Sequence, residues 1–283
     1  MKRKVTKKKT TGKSPQLPAV VRGIRDVSEL RGNHAVLLYG KSGRGKTHVA
    51  STFPRPILFL DINHEQGLKT VKGIQGIEVA KVTSWEEYKD LYWWLRDQQK
   101  YKTIVSDQIT GLQDLCMRNV REKLNMKEDA PFFRKHWGHL SGDMKTWLYN
   151  YRSLVDTYNV VFIAHERAFG GDDETEDDEI DPSIGARVMP SVGSFVDGAC
   201  DIIGHCFIRS FKERVKGKLQ KRTEYCMRVG PHPVYATKIR RPASLGPLPE
   251  YIVDPTYQKL IDLEAGKEIK TRKTNRRVKN GKK

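Results

Sequence analysis

Short β-like runs, most of them rich in apolar residues, alternate with longer segments of helical spacing from His34 onward. AVLLYG (35–40) reads as a buried strand, and PILFLD (56–61), IEVAKV (77–82), KTIVSD (102–107) and NVVFIAH (159–165) read as four further strands. Between them, Lys46 to Phe53 reads as a helix stopped by Pro54. SWEEYKDLYWWLRDQQ opens on Ser84 as a cap and repeats Trp85, Tyr88, Leu91, Tyr92 and Leu95 along one face. Gln108 to Leu124 and Ser141 to Tyr158 read as two further helices. Strands that alternate with helices predict an α/β fold with a mostly parallel sheet covered on both faces. After His165 the pattern breaks over about 168–187, which is expected to be a flexible acidic loop with eight acids between Asp172 and Asp181. FVDGACDIIGHCFIR (195–209), TEYCMRV (223–229) and PVYATKI (233–239) then suggest late strands with antiparallel members, and DPTYQKLIDLEAG (254–266) a final helix.

Charge divides the chain in a way that hydropathy does not. The formal net charge is +18, and fifteen of those charges lie in residues 1–13 and 266–283. Both ends lack apolar periodicity and are expected to be disordered basic tails that flank a domain at 14–265. Such tails suit salt-sensitive contact with a polyphosphate such as nucleic acid. No apolar run approaches the roughly 20 residues of a bilayer-spanning helix, and no apolar core follows the basic start. The four cysteines show no CxxC pair, so reduced buried thiols in a cytoplasmic protein are expected and zinc is not.

The chemistry concentrates at Gly40-Lys41-Ser42-Gly43-Arg44-Gly45-Lys46-Thr47, which fits G-x-x-x-x-G-K-[ST] between a strand and a helix and is followed by His48. Glycines let main-chain N–H groups converge on phosphate, and the following helix turns its positive end to the anion. Lys46 suits the β- and γ-phosphates, and the Thr47 hydroxyl suits Mg²⁺. Asp107 ends an apolar strand, where a carboxylate can hold hydrated Mg²⁺. Glu65, beyond the strand that ends at Asp61, is a candidate base for the attacking water. His165 sits just past another strand end as a candidate γ-phosphate sensor. Lys238 and Arg240 share one face of a late strand, as cations that reach into a neighbouring subunit's site would.

Taken in order, GKSGRGKT, FLDINHEQGL, TIVSD, FIAHER, the long loop and YATKIRRP resemble the RecA-like ATPase core over roughly residues 34–262. More narrowly, they resemble the phage-encoded RecA-like proteins of the Sak single-strand annealing group. The resemblance implies a three-layer P-loop NTPase core that binds ATP and Mg²⁺. In it Lys46 and Thr47 are the phosphate and metal ligands, Asp107 the Walker-B acid and Glu65 the water-activating glutamate. His165 stands where that core has a γ-phosphate-sensing glutamine, and Lys238 and Arg240 match its paired intersubunit cations. It further implies hydrolysis coupled to single-stranded DNA in recombination or replication, by a head-to-tail ring or filament. An alternative expectation is a nucleotide-switched accessory module of a replication complex with little turnover. Two departures stand out. Gln108 follows the Walker-B Asp where Ser is common, and the loop after His165 is acidic where recombinases contact DNA.

Overall fold

A computed structural model describes residues 32–62, 67–169, 183–215 and 218–269. Eleven strands and six α-helices are described from Asn33 onward. They follow as β1 (Ala35–Tyr39), α1 (Lys46–Ser51), β2 (Ile57–Ile62), β3 (Ile77–Val82), α2 (Trp85–Asp97), β4 (Thr103–Asp107), α3 (Ile109–Lys123), α4 (Arg134–Ser153), β5 (Asn159–Ala164), β6 (Glu166–Phe169), β7 (Ser183–Ala186), α5 (Pro190–Ala199), β8 (Ile202–Val215), β9 (Lys218–Arg228), β10 (Lys238–Ile239), β11 (Tyr251–Val253) and α6 (Tyr257–Glu264).

The main sheet runs β11-β9-β8-β1-β5-β4-β2-β3, with β10 beside β8. All pairings from β8 through β1 to β3 are parallel, whereas β9, β10 and β11 join antiparallel. The architecture is thus mixed α/β with a large, mostly parallel sheet and some antiparallel strands. Strand β1 shows why the central runs are apolar throughout. Leu37 and Tyr39 pack into the core under α2–α5, while Val36 and Leu38 pack into the opposite core under α1 and α6. Both faces are covered, so alternation disappears from the sequence.

Four elements differ from the sequence reading. Helix α4 starts at Arg134, seven residues ahead of Ser141, because buried His136 occupies the apolar stripe of Leu140, Met144, Leu148 and Tyr151 and accepts from the Phe133 N–H at 3.1 Å. Phe195 belongs to α5 rather than to a strand. Pro190 starts that helix, Val192 and Val196 bury its inner face, and β8 begins only at Ile202. The run 233–239 is a strand only at Lys238–Ile239, since Tyr235 bridges to Ile184 instead. The ends of the expected 168–187 loop are paired, with β6 and β7 forming a two-stranded antiparallel sheet. The acidic stretch Asp172 to Asp181 lies outside the described residues, as do residues 1–13 and most of 266–283.

Candidate functional site

Parallel register brings three strand ends to one rim. Tyr39 of β1 pairs with Ala164 of β5, and Asp107 of β4 pairs with Ile163. The residues that follow, Gly40, Gln108 and His165, therefore emerge side by side at the carboxyl edge of the sheet, where α/β proteins bind ligands.

Gly40 to Gly45 form the turn between β1 and α1, with φ of +150° at Gly40 and +83° at Gly45. A Cβ on Gly40 would stand 2.3 Å from the carbonyl oxygen of Cys206 in β8, so the loop is drawn down onto its neighbouring strand. Lys46 is buried, and its Nζ donates to the carbonyl oxygens of Gly40 (2.9 Å) and Lys41 (3.0 Å), which centres the ammonium over the loop. Lys41, Ser42, Gly43 and His48 are exposed around it, and Arg44 is half-buried. The Thr47 hydroxyl donates to Asp107 Oδ2 at 3.0 Å. A Cβ on Gly67 would come within 3.8 Å of both those oxygens. Glu65 lies two positions earlier in sequence, outside the described residues.

His165 links the rim to what lies beyond it. Its Nε2 lies 2.7 Å from Gln108 Nε2, within hydrogen-bond distance. Its main-chain N–H donates to Thr110 Oγ1 at 3.2 Å, and its carbonyl accepts from the Arg187 N–H at 2.7 Å. Two clefts, of about 570 and 510 Å³, share His165, Arg167 and Arg187 in their linings. Thr110, Gln113 and Asp114 are among the other residues of the first, and Lys41, Ser42 and Glu166 among those of the second.

Several residues here were not singled out by sequence reasoning. Glu166 Oε2 accepts from His205 Nε2 at 3.0 Å and its other oxygen lies 3.9 Å from Lys41 Nζ. His205 Nδ1 faces Arg228 at 3.3 Å, and its ring stacks on Tyr235 with centroids 4.3 Å apart. Burial holds this imidazole below its ordinary pKa, against the opposing pull of Glu166. The Tyr39 hydroxyl, raised in pKa mainly by burial, donates to the carbonyl of Ile184 and ties β7 to β1. Half-exposed Tyr225 of β9 lays its ring against Gly45. Arg167 closes the FIAHER segment, two residues past His165. Its place in the hairpin was hidden because the acidic stretch obscured the β6–β7 pairing.

Lys238 and Arg240 are placed away from this rim. β10 runs antiparallel to β8, so Lys238 is level with Ile203 and Ile239 with Ile202, near the start of the parallel strands. Lys238 donates to the carbonyl of Asp197, and Arg240 pairs with Asp201 (3.0 Å) and donates to the Gly198 carbonyl. Burial lowers the Lys238 pKa, and neighbouring Arg240 lowers it further. Both cations are thus engaged at the carboxyl end of α5, where helix carbonyls lack partners of their own.

The site fits a nucleotide and Mg²⁺ by the chemistry of its donors. A glycine turn pressed to the sheet, a buried ammonium at its centre and a hydroxyl–carboxylate pair supply N–H, cationic and hard oxygen groups in one place. All four cysteines are buried and unbridged. No described helix is long and apolar enough to cross a membrane. Compared with known families, residues 33–241 match the one described as AAA domain. No curated protein matches the chain.

Proposed function

From the premise that this chain belongs to the AAA-domain family, we propose that it is an Mg²⁺-dependent ATPase of phage recombination or replication that acts on single-stranded DNA. The observation that carries the ATPase reading is the 3.0 Å contact of Thr47 with Asp107 at the mouth of the glycine turn. Support for the nucleic-acid reading comes from the +18 net charge and its concentration at the two ends. The order of motifs that resembles the Sak-type group adds to it.

In this mechanism the chain positions rather than bonds. The Gly40–Gly45 turn orients the phosphates through main-chain N–H groups, and Lys46 places a fixed positive charge against them. Thr47 and Asp107 would hold Mg²⁺, which when bound neutralises phosphate oxygens. Glu65 orients and deprotonates the attacking water. His165, held by Gln108 and joined to β6–β7 through Arg187, passes the state of the γ-phosphate to the hairpin. In a head-to-tail assembly Lys238 and Arg240 face the neighbouring subunit's site.

A second reading has one specific observation in its favour. Lys238 and Arg240 are already bonded to the end of α5 of their own chain. If they stay there, turnover is slow and ATP acts as a switch for an accessory binding module. ATP hydrolysis measured with and without single-stranded DNA, at two salt concentrations, separates the two. The first reading expects DNA to raise the rate, and more so at low salt. It also expects Lys46→Ala to lower kcat/KM by about 10²–10³-fold. A rate indifferent to any nucleic acid overturns the first reading in favour of the second.

A further inference from the structure

Strands β8 and β9 are far longer than the sheet they join. β8 pairs with β1 only as far as His205, and β9 pairs with β11 only over Cys226–Arg228. From Ile208 to Val215 the two strands pair with each other alone, as a ribbon that extends about 25 Å past the carboxyl rim. Residues 207–225 hold seven basic and two acidic side chains, a local net charge of +5, whereas residues 14–265 as a whole carry only about +3. That low figure includes the eight acids of Asp172 to Asp181; without them and the ribbon, the rest of 14–265 carries +6 over more than 200 residues, so basic charge is densest in the ribbon.

The two faces of the ribbon differ. On one, Arg209 pairs with Glu224 at 2.7 Å and Arg222 with Glu213 at 3.5 Å, so charge is balanced. On the other, Lys212 stands directly opposite Lys221, with Arg214 two residues further on. All three are exposed, and no side chain of the three has a hydrogen-bond or ion-pair partner among the described residues. Like charges placed directly opposite destabilise a strand pair. Guarding a free edge needs charge, but the balanced face already provides it without repulsion. An unbalanced row of cations is explained by an anion that lies along it.

The same face carries exposed Leu219 and, at its foot, Tyr225, whose ring rests on Gly45 of the phosphate turn. A row of cations that leads to an exposed aromatic ring suits a single strand, which offers both phosphates and unstacked bases. We propose that this face of the β8–β9 ribbon is a docking track for single-stranded nucleic acid that leads down to the nucleotide turn. The inference rests on the nucleic-acid reading above and gives it a location. A strand on the track would touch Tyr225, and through it Gly45, so occupancy of the track is coupled to the turn.

The test is fluorescence anisotropy of a labelled oligothymidylate with the full chain across a salt series. Lys212→Ser/Arg214→Ser/Lys221→Ser is compared with Lys72→Ser/Lys81→Ser/Lys102→Ser, which removes equal charge on the β2–β3 side. The ribbon triple variant is expected to weaken binding by tenfold or more. Its plot of log K against log salt should flatten by about 2, at roughly 0.7 for each phosphate that the variant leaves unneutralised. The control triple should do neither, and a fluorescent ATP analogue without oligonucleotide should bind both variants as it binds wild type. Unchanged affinity and slope in the ribbon variant, with a wild type that binds, overturn the track and leave the proposed function standing. A wild type that binds no oligonucleotide overturns both. Displacement of the oligonucleotide by polyglutamate of equal charge also overturns the track, because it makes the face a site for acidic protein segments.

Discussion

Gly40 shows how much of the site one side chain can decide. Its φ of +150° is open to glycine and costly for other residues, and the space where a Cβ would lie is held by the Cys206 carbonyl at 2.3 Å. Neither obstacle can swing aside, since both are backbone. Gly40→Ala should therefore destabilise the fold by about 3 kcal/mol, read as a lower urea midpoint with an unchanged slope. Nucleotide affinity should fall in parallel, because relief of the clash lifts the turn off β8. The match to G-x-x-x-x-G-K-[ST] made Gly40 legible as a turn residue, but its second duty against β8 was not. That close approach joins positions 166 residues apart in the chain, and local pattern carries no such information.

Among the elements, α2 is the one whose sequence says most about itself. Ser84 Oγ accepts from the Glu87 N–H at 3.2 Å, while Glu87 Oε2 accepts from the N–H groups of Ser84 and Thr83. Each satisfies a donor that the first turn would leave unpaired. Ser84→Ala should cost about 1 kcal/mol and lower the Tm by about 2–4 °C in a thermal melt followed by circular dichroism. Such a cap is local and so was legible, as were the strands of the parallel sheet, whose apolar runs are continuous. Elements failed to be legible where a polar residue took an apolar place or where pairing was remote. Buried His136 concealed the first seven residues of α4. The β6–β7 hairpin was hidden by the acids between its strands. The ribbon was read as strands only up to Arg209 and from Thr223, because its far part is polar on both faces and has no core to face.

At the scale of the whole molecule, stability should depend on pH through His205. Burial depresses its pKa in the fold, so the native imidazole resists a proton that the unfolded chain accepts near its ordinary value of about 6.5. Between the two values the unfolded state binds more protons, and stability is lost as pH falls through that window. Urea unfolding at pH 7.5 and 5.5 should show this loss in wild type and a smaller one in His205→Gln. Equal losses would assign the effect to other groups. For the candidate site, Lys46, Thr47 and Asp107 were legible from motif and strand ends, and they come together. His165 was legible as a rim residue, but its partner Gln108 entered only as a departure from family pattern. Glu166, His205, Arg228 and Tyr235 form a cluster beside the turn that no spacing announces, because each comes from a different element.

Strand β1 has one more implication. It is bonded to β5 on one side and β8 on the other, with no exposure along its length. The floor beneath the glycine turn is therefore rigid, and it cannot gape without tearing the middle of the sheet. In the ATPase proposed above, exchange would then fall to the pieces that flank the turn: the β6–β7 hairpin on one side and Tyr225 on the other. A partner that grips those two pieces from outside would then set the pace of the proposed cycle.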